Sequence, residues 1–154
     1  MRWFISIAAL LLAACSSAPA PEKKAAVPPP PPPIKDHTAL LLPDHRTGAQ
    51  VVPNHVLGIA AMPGGTVGDY ANGGSKYQLF IIDTQTAQDA AFLLLDMKGA
   101  LTDPAYIAYM GGYFGTNAGK PVYVFAKLDY LAGVVGLDRE KADPIARELA
   151  ARLN

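Results

Sequence analysis

The spacing of hydrophobic positions changes along the second half of the chain and predicts a short series of strands and helices. The clearest strand is Tyr77–Asp83, where β-branched and aromatic residues form a nearly continuous apolar run typical of a central strand. Thr86 and Asp89 then stand three residues apart, as in a helix capping box, and we expect a helix to follow as far as Lys98. Its apolar residues occupy a wide sector, so this helix is expected to be well buried.

Turn-forming residues separate the remaining apolar runs. Before the helix, Val56–Met62 is expected to form a short strand, whereas 36–54 and the Gly-rich stretch that begins at Pro63 are expected to be irregular. After it, short apolar runs joined by brief links predict antiparallel strands, and Asp143-Pro144 predicts the start of a last helix. This order favours an α+β fold, with an antiparallel sheet of about 4–5 strands and two main helices on one face.

The first apolar run has a different character. It has the three parts of a secretory signal peptide: a cationic start, the hydrophobic segment Phe4–Leu12, and small residues after it. The alternative is an uncleaved membrane anchor, but about 12 apolar residues rise only roughly 18 Å as a helix, too little for a ~30 Å hydrocarbon core. The tetrapeptide Leu12-Ala13-Ala14-Cys15 resembles the lipobox of bacterial lipoproteins.

The lipobox resemblance implies a modification and a location. In such proteins the cysteine receives a diacylglyceryl group, becomes the new N-terminus and is N-acylated, so Cys15 is expected to carry two or three acyl chains such as palmitate. Two or more chains make membrane attachment effectively permanent. Ser16 follows, where an aspartate would favour the inner membrane, so the inner leaflet of the outer membrane is favoured in an organism with two membranes.

The chain divides into three parts by composition. We expect a signal peptide at 1–14, the lipidated cysteine and a Pro-rich linker at 15–34, and a single α+β domain at 35–154. The run Pro28–Pro33 favours a polyproline rod of roughly 19 Å, a spacer or else a docking site for a Pro-binding groove. The block Lys76–Asn154 resembles uncharacterised extracytoplasmic bacterial domains, a resemblance that carries no catalytic motif and implies no activity.

Charge and cysteine content narrow the classes of function. Basic and acidic side chains are equal in number at 13 each, and no basic stripe is present, so nucleic-acid partners are not expected. Cys15 is the only cysteine, so no disulfide, thiol nucleophile or cysteine metal site is expected. The only serine after residue 17, Ser75, lies outside any nucleophile elbow. The sequence predicts no enzyme and no cofactor.

Two groups of residues remain as candidates for binding. Tyr106, Tyr109 and Tyr113 recur at i, i+3 and i+7 and form a candidate ligand surface for a sugar, a peptide or peptidoglycan, although aromatic residues in strands also serve for packing. Three histidines, His37, His45 and His55, lie in the segment that leads into the domain. Their spacing matches no metal signature, so we expect solvated loop histidines and no metal site.

These observations favour one function and leave a second. The sequence predicts a lipid-anchored, extracytoplasmic and noncatalytic module for envelope structure or complex assembly, with the membrane and an envelope protein as partners. The alternative is a lipoprotein that binds a small molecule or glycan on its tyrosine-bearing face. A third interpretation is an undetected hydrolase, which no catalytic motif supports.

Overall fold

A computed structural model describes residues 33–154; the predicted signal peptide, Cys15 and the predicted linker as far as residue 32 lie outside the described residues. The described chain forms seven strands, one short 3₁₀ helix at Val56–Gly58 and two α-helices. The strands are β1 (Arg46–Asn54), β2 (Pro63–Asn72), β3 (Ser75–Asp83), β4 (Thr102–Ile107), β5 (Gly112–Asn117), β6 (Lys120–Lys127) and β7 (Tyr130–Val135). The helices are α1 (Ala87–Ala100), between β3 and β4, and α2 (Arg139–Arg152), after β7.

All seven strands belong to one antiparallel sheet in the order β1-β2-β3-β7-β6-β5-β4. The predicted α+β class is therefore confirmed, but the predicted number of strands, about 4–5, is too low. Tight hairpins hold neighbouring strands in register. Gly73 and Gly74 between β2 and β3 both have positive φ, as do Ala118 and Gly119 between β5 and β6, which matches the twist of antiparallel strands.

In the two strands that precede β3, polar residues, glycine and proline hide the pattern. β1 is an edge strand with mostly exposed side chains, within the segment expected to be irregular. β2 begins at Pro63 and includes the Gly-rich stretch expected to be a loop. Gly65 is required there by close packing, because a Cβ at this position would lie 2.5 Å from the carbonyl oxygen of Ile81 on β3. The segment Val56–Met62, expected to be a strand, instead forms the 3₁₀ helix and a turn.

The two helices lie on opposite faces of the sheet, which corrects the expectation that both would pack on one face. Successive side chains of a strand alternate between faces. On β3, Leu79 belongs to the apolar cluster that includes α2, whereas its neighbour Phe80 belongs to the cluster that includes α1. The buried residues of the helices are Ala90, Leu94 and Met97 in α1, and Ala142, Ala146 and Leu149 in α2. Central strands buried on both faces explain the nearly continuous apolar runs of β3 and β6.

Both predicted helices form, with one start displaced. The Thr86 side chain caps α1 by accepting from the backbone N–H of Asp89 at 3.1 Å, which confirms the predicted N-cap; the Asp89 carboxylate accepts from the Thr86 hydroxyl at 2.7 Å. α2 begins at Arg139, a turn before the predicted Asp143-Pro144, so Pro144 lies inside the helix. Within residues 33–154, no helix is long and apolar enough to cross a membrane.

Candidate functional site

The three candidate tyrosines are not brought together on one face. Tyr106 on β4 and Tyr113 on β5 are direct cross-strand partners, and their ring centroids lie 5.4 Å apart. Tyr113 packs against the cluster that includes α1. The Tyr109 hydroxyl bonds instead to Asp143 of α2, on the other side of the sheet. The sequence spacing suggested one stacking platform, but the structure forms a pair and a separate third ring.

The Tyr106–Tyr113 pair continues onto α1. The Lys98 ammonium lies over the Tyr113 ring, 5.1 Å from its centroid. Leu95 stands one helical turn before Lys98 and exposes 54% of its surface, and Phe92 exposes 56%. We call these five residues (Phe92, Leu95, Lys98, Tyr106 and Tyr113) the α1 surface.

The α1 surface is unusual because α1 is apolar on its outward side as well as its inward side. The sequence predicts a well-buried helix, and the structure confirms burial for Leu94 and Met97 but not for Phe92 and Leu95. Adjacent large apolar side chains exposed on a well-packed helix are typical of a surface that another molecule covers. The wide apolar sector of this helix in the sequence already indicated more apolar surface than one face needs. The sequence did not indicate which part of that sector the sheet would cover.

Carboxylates border the α1 surface on one side. Asp89 and Asp96 of α1 and Asp83 at the end of β3 line a shallow depression of about 530 Å³ that also includes Phe92. The negative charge of Asp83 is compensated by a neighbour, since its carboxylate lies 3.0 Å from the Lys35 ammonium and 3.1 Å from the His37 ring. Asp89 and Asp96 are exposed and form no ion pair within residues 33–154. The apolar stripe therefore has an acidic edge.

Tyr109 belongs to a polar junction between α2 and the sheet. The Asp143 carboxylate accepts hydrogen bonds from the hydroxyls of Tyr109 and Tyr123, the latter at 2.7 Å, and pairs with Arg147 at 2.6 Å. Burial acts to raise the pKa of Asp143, but these hydrogen bonds and the arginine charge outweigh it, so its pKa lies below the ordinary value. Burial and the hydrogen bond to Asp143 raise the pKa of Tyr123. The junction keeps an ionised carboxylate against a buried neutral tyrosine.

The three histidines are separated rather than gathered. His37 is partly buried; its ring contacts Asp83, and its backbone N–H donates to the Thr66 hydroxyl at 2.9 Å. His45 and His55 are exposed and adopt positive φ at either end of β1. Across residues 33–154, no three acidic, histidine or cysteine side chains come together as metal ligands. The role of His37 is to hold the segment entering the domain against the sheet.

The predicted lipidation site, Cys15, lies outside the described residues, so the structure bears only on the surface candidates. Of these, the α1 surface assembles Tyr106 and Tyr113 with residues that sequence reasoning assigned to the core. The Asp143 junction was missed, because nothing in the sequence connects Tyr109 and Tyr123 to a helix residue 20 or more positions later. No protein-family model, curated protein or solved structure matches this chain.

Proposed function

We propose that this chain is a lipid-anchored, extracytoplasmic and noncatalytic module that assembles with a protein of the bacterial cell envelope. Two independent features support the proposal. The lipobox at Cys15 would attach the chain to a membrane, and the Pro-rich linker would hold the domain away from that membrane. The α1 surface then offers the domain a place to bind a partner.

The exposure of Phe92 and Leu95 is the observation that carries the binding half of the proposal. Burying a large apolar side chain that is otherwise exposed contributes about 1.5–3 kcal/mol, so these two residues could anchor a protein contact. The acidic edge at Asp89 and Asp96 specifies the partner further. We expect the partner to present an apolar groove bordered by lysine or arginine side chains.

The acidic edge also argues against binding of the α1 surface to a lipid bilayer. Carboxylates are repelled by anionic headgroups, and a membrane-binding helix usually carries lysine or arginine on both borders of its apolar stripe. α1 has a single lysine, Lys98, which already lies over Tyr113. A protein partner therefore fits the charge distribution better than a bilayer does.

The alternative, a glycan or small-molecule binder on a tyrosine-bearing face, loses one of its three residues. Only Tyr106 and Tyr113 share a face, and Lys98 covers the Tyr113 ring. The pair suits a protein contact at least as well as a stacked sugar. We therefore place the tyrosine pair within the protein-docking surface.

One experiment tests both halves of the proposal in the cells that produce the protein. Wild type should incorporate labelled palmitate, whereas Cys15→Ala should not. After in-cell crosslinking, a discrete protein should co-purify with wild type, and its recovery should fall at least about fivefold for the double variant Phe92→Ser, Leu95→Ser.

The matched control for the double variant is Val51→Ser, which removes an exposed apolar side chain from the edge strand β1. The control should retain the partner. Label retained by Cys15→Ala would contradict the anchor, and equal recovery with the α1 variant and the control would contradict the docking surface.

A further inference from the structure

A second concave region lies on the α1 face of the sheet, beyond the part that α1 covers. It is an open cleft of about 740 Å³ at the end where the β2–β3 and β5–β6 hairpins meet β7. The register aligns Asp69, Gln78, Val135 and Val122 in one row across four neighbouring strands. Val122 and Val135 belong to the α1-side cluster, so the polar pair at 69 and 78 extends that face where the helix no longer covers it.

The floor of the cleft is a preformed polar pair. Gln78 Nε2 donates to Asp69 Oδ1 at 2.8 Å, and both side chains are half-buried. That bond fixes both side chains and leaves acceptor capacity on the Oδ2 atom of Asp69 and the Oε1 atom of Gln78. A Cβ at position 48 would contact Oδ2 of Asp69 at 3.7 Å, so Gly48 leaves this side of the carboxylate uncovered. The floor therefore accepts hydrogen bonds from hydroxyl or amide donors.

Two ammonium groups border this floor. Lys76 lies two residues before Gln78, and Lys120 lies two residues before Val122, so both share the α1 face with the polar pair. Neither lysine forms an ion pair within the described part of the chain. With Asp69 as the one lining carboxylate, the cleft carries a net positive charge. An anionic group at the rim would be attracted by both lysines.

The remaining wall is partly apolar, and a backbone hydrogen bond closes it. Val135 lines it on the α1 face, and the backbone N–H of Gly136 donates to the Pro121 carbonyl at 2.8 Å. Gly136 has φ of 96°, a conformation that favours glycine, so this turn is built into the sequence. A preformed wall needs little ordering when a ligand binds.

We propose that this cleft binds a saccharide that carries a carboxylate. Sugar hydroxyl or amide groups donate to Asp69 and Gln78, the carboxylate lies between Lys76 and Lys120, and the apolar face of the sugar ring packs on Val135. Its volume lies within the usual range of about 300–1,000 Å³ for small-molecule sites. The site uses no residue of the α1 surface, so it stands whether or not that surface docks a protein.

The test uses two sugars that differ in the carboxylate. Titration calorimetry on the full mature chain in detergent should detect binding of N-acetylmuramic acid, and weaker binding of N-acetylglucosamine, which lacks the lactyl carboxylate. Lys76→Gln and Lys120→Gln should each weaken binding of N-acetylmuramic acid about twofold to fivefold, as expected for exposed ion pairs. Gln78→Ala should weaken binding of both sugars.

Lys141→Gln is the matched control, because this exposed lysine lies on α2, which packs on the other face of the sheet. The control should bind like wild type. Equal affinity for the two sugars, no heat with N-acetylmuramic acid, or equal losses in the control and the cleft variants would overturn the proposal. Binding of D-alanine as tightly as N-acetylmuramic acid would also overturn it, since the site would then recognise a zwitterionic amino acid rather than a sugar.

Discussion

At the scale of single residues, the structure depends on how buried polar groups are satisfied. The Tyr123 hydroxyl is carried by a fully buried ring, and Asp143 accepts its hydrogen bond. The buried Tyr70 also has a hydrogen-bond acceptor, since its hydroxyl donates to the Leu42 carbonyl at 2.8 Å. Burial raises the pKa of Tyr70 to about 12. No buried side-chain nitrogen or oxygen in residues 33–154 lacks a partner. Loss of either acceptor would leave a buried hydroxyl unpaired.

Asp143→Ala should lower the free energy of unfolding by about 2 kcal/mol near neutral pH, because the buried Tyr123 hydroxyl loses its acceptor. The folded-state pKa of Asp143 is depressed, so its contribution is present above the ordinary pKa of 3.8 and is lost as pH falls through the folded value. Urea unfolding of wild type and variant should therefore show a difference that shrinks below about pH 4.

Arg147→Gln is the control for this prediction, because Arg147 is mostly exposed and an exposed pair contributes at most about 1 kcal/mol. A difference between wild type and Asp143→Ala that stays constant down to about pH 2 would contradict an ionised acceptor at this junction.

Residue roles were the least predictable feature from sequence. Tyr106, Tyr109 and Tyr113 have helical spacing, yet two of them lie on paired strands and the third lies in the connection between those strands. Which tyrosines share a face depends on the β4–β5 register, and register is not encoded in the spacing of aromatic residues alone. The partner of Tyr109 on α2 follows from tertiary packing, which the local sequence does not specify.

At the scale of elements, strong local signals predicted structure well and weak ones did not. The apolar run of β3 and the Thr86 N-cap of α1 act within a few residues, and both are confirmed. β1 and β2 were missed because an edge strand needs few apolar residues, and because β2 uses glycine to let strands and side chains approach closely. In the turns of this sheet, glycine therefore marks the end of a strand, whereas within β2 it marks close packing inside a strand.

Two glycine substitutions should shift stability in opposite directions. At Gly133 on β7, a Cβ would lie 2.2 Å from the Tyr123 carbonyl oxygen and 2.7 Å from the Phe80 ring, so Gly133→Ala should destabilise the fold by about 2 kcal/mol or more. At Gly99 in α1, nothing lies within 4 Å of the added Cβ, so Gly99→Ala should stabilise the fold by about 0.5–1 kcal/mol.

Urea unfolding of the two variants beside wild type measures both changes. A neutral Gly133→Ala would show that β7 can move away from Phe80 without cost, and would contradict the close packing of this face. A destabilised Gly99→Ala would show that the outward side of α1 is less open than its surroundings indicate.

At the scale of the whole molecule, one sheet with a helix on each face leaves two parts of the α1 side exposed. One is the outward side of α1 itself, and the other is the cleft at the hairpin end, where Asp69 and Gln78 replace apolar side chains. The sequence predicted two helices but not that they would take opposite faces, because a helix pattern does not specify which face of a sheet the chain will cross. That choice determines which apolar residues remain exposed.

The central claim is that the α1 surface contacts an envelope protein, and site-specific photocrosslinking in living cells tests it most directly. A benzophenone amino acid at position 92 should yield one discrete crosslinked protein, whereas the same group at Glu148, exposed on α2, should not. Asp96→Lys should reduce the crosslink at position 92 severalfold by reversing the acidic edge, and Asp44→Lys, another exposed carboxylate, should not. Crosslinking of equal strength at both positions, or only to lipid at position 92, would contradict the claim.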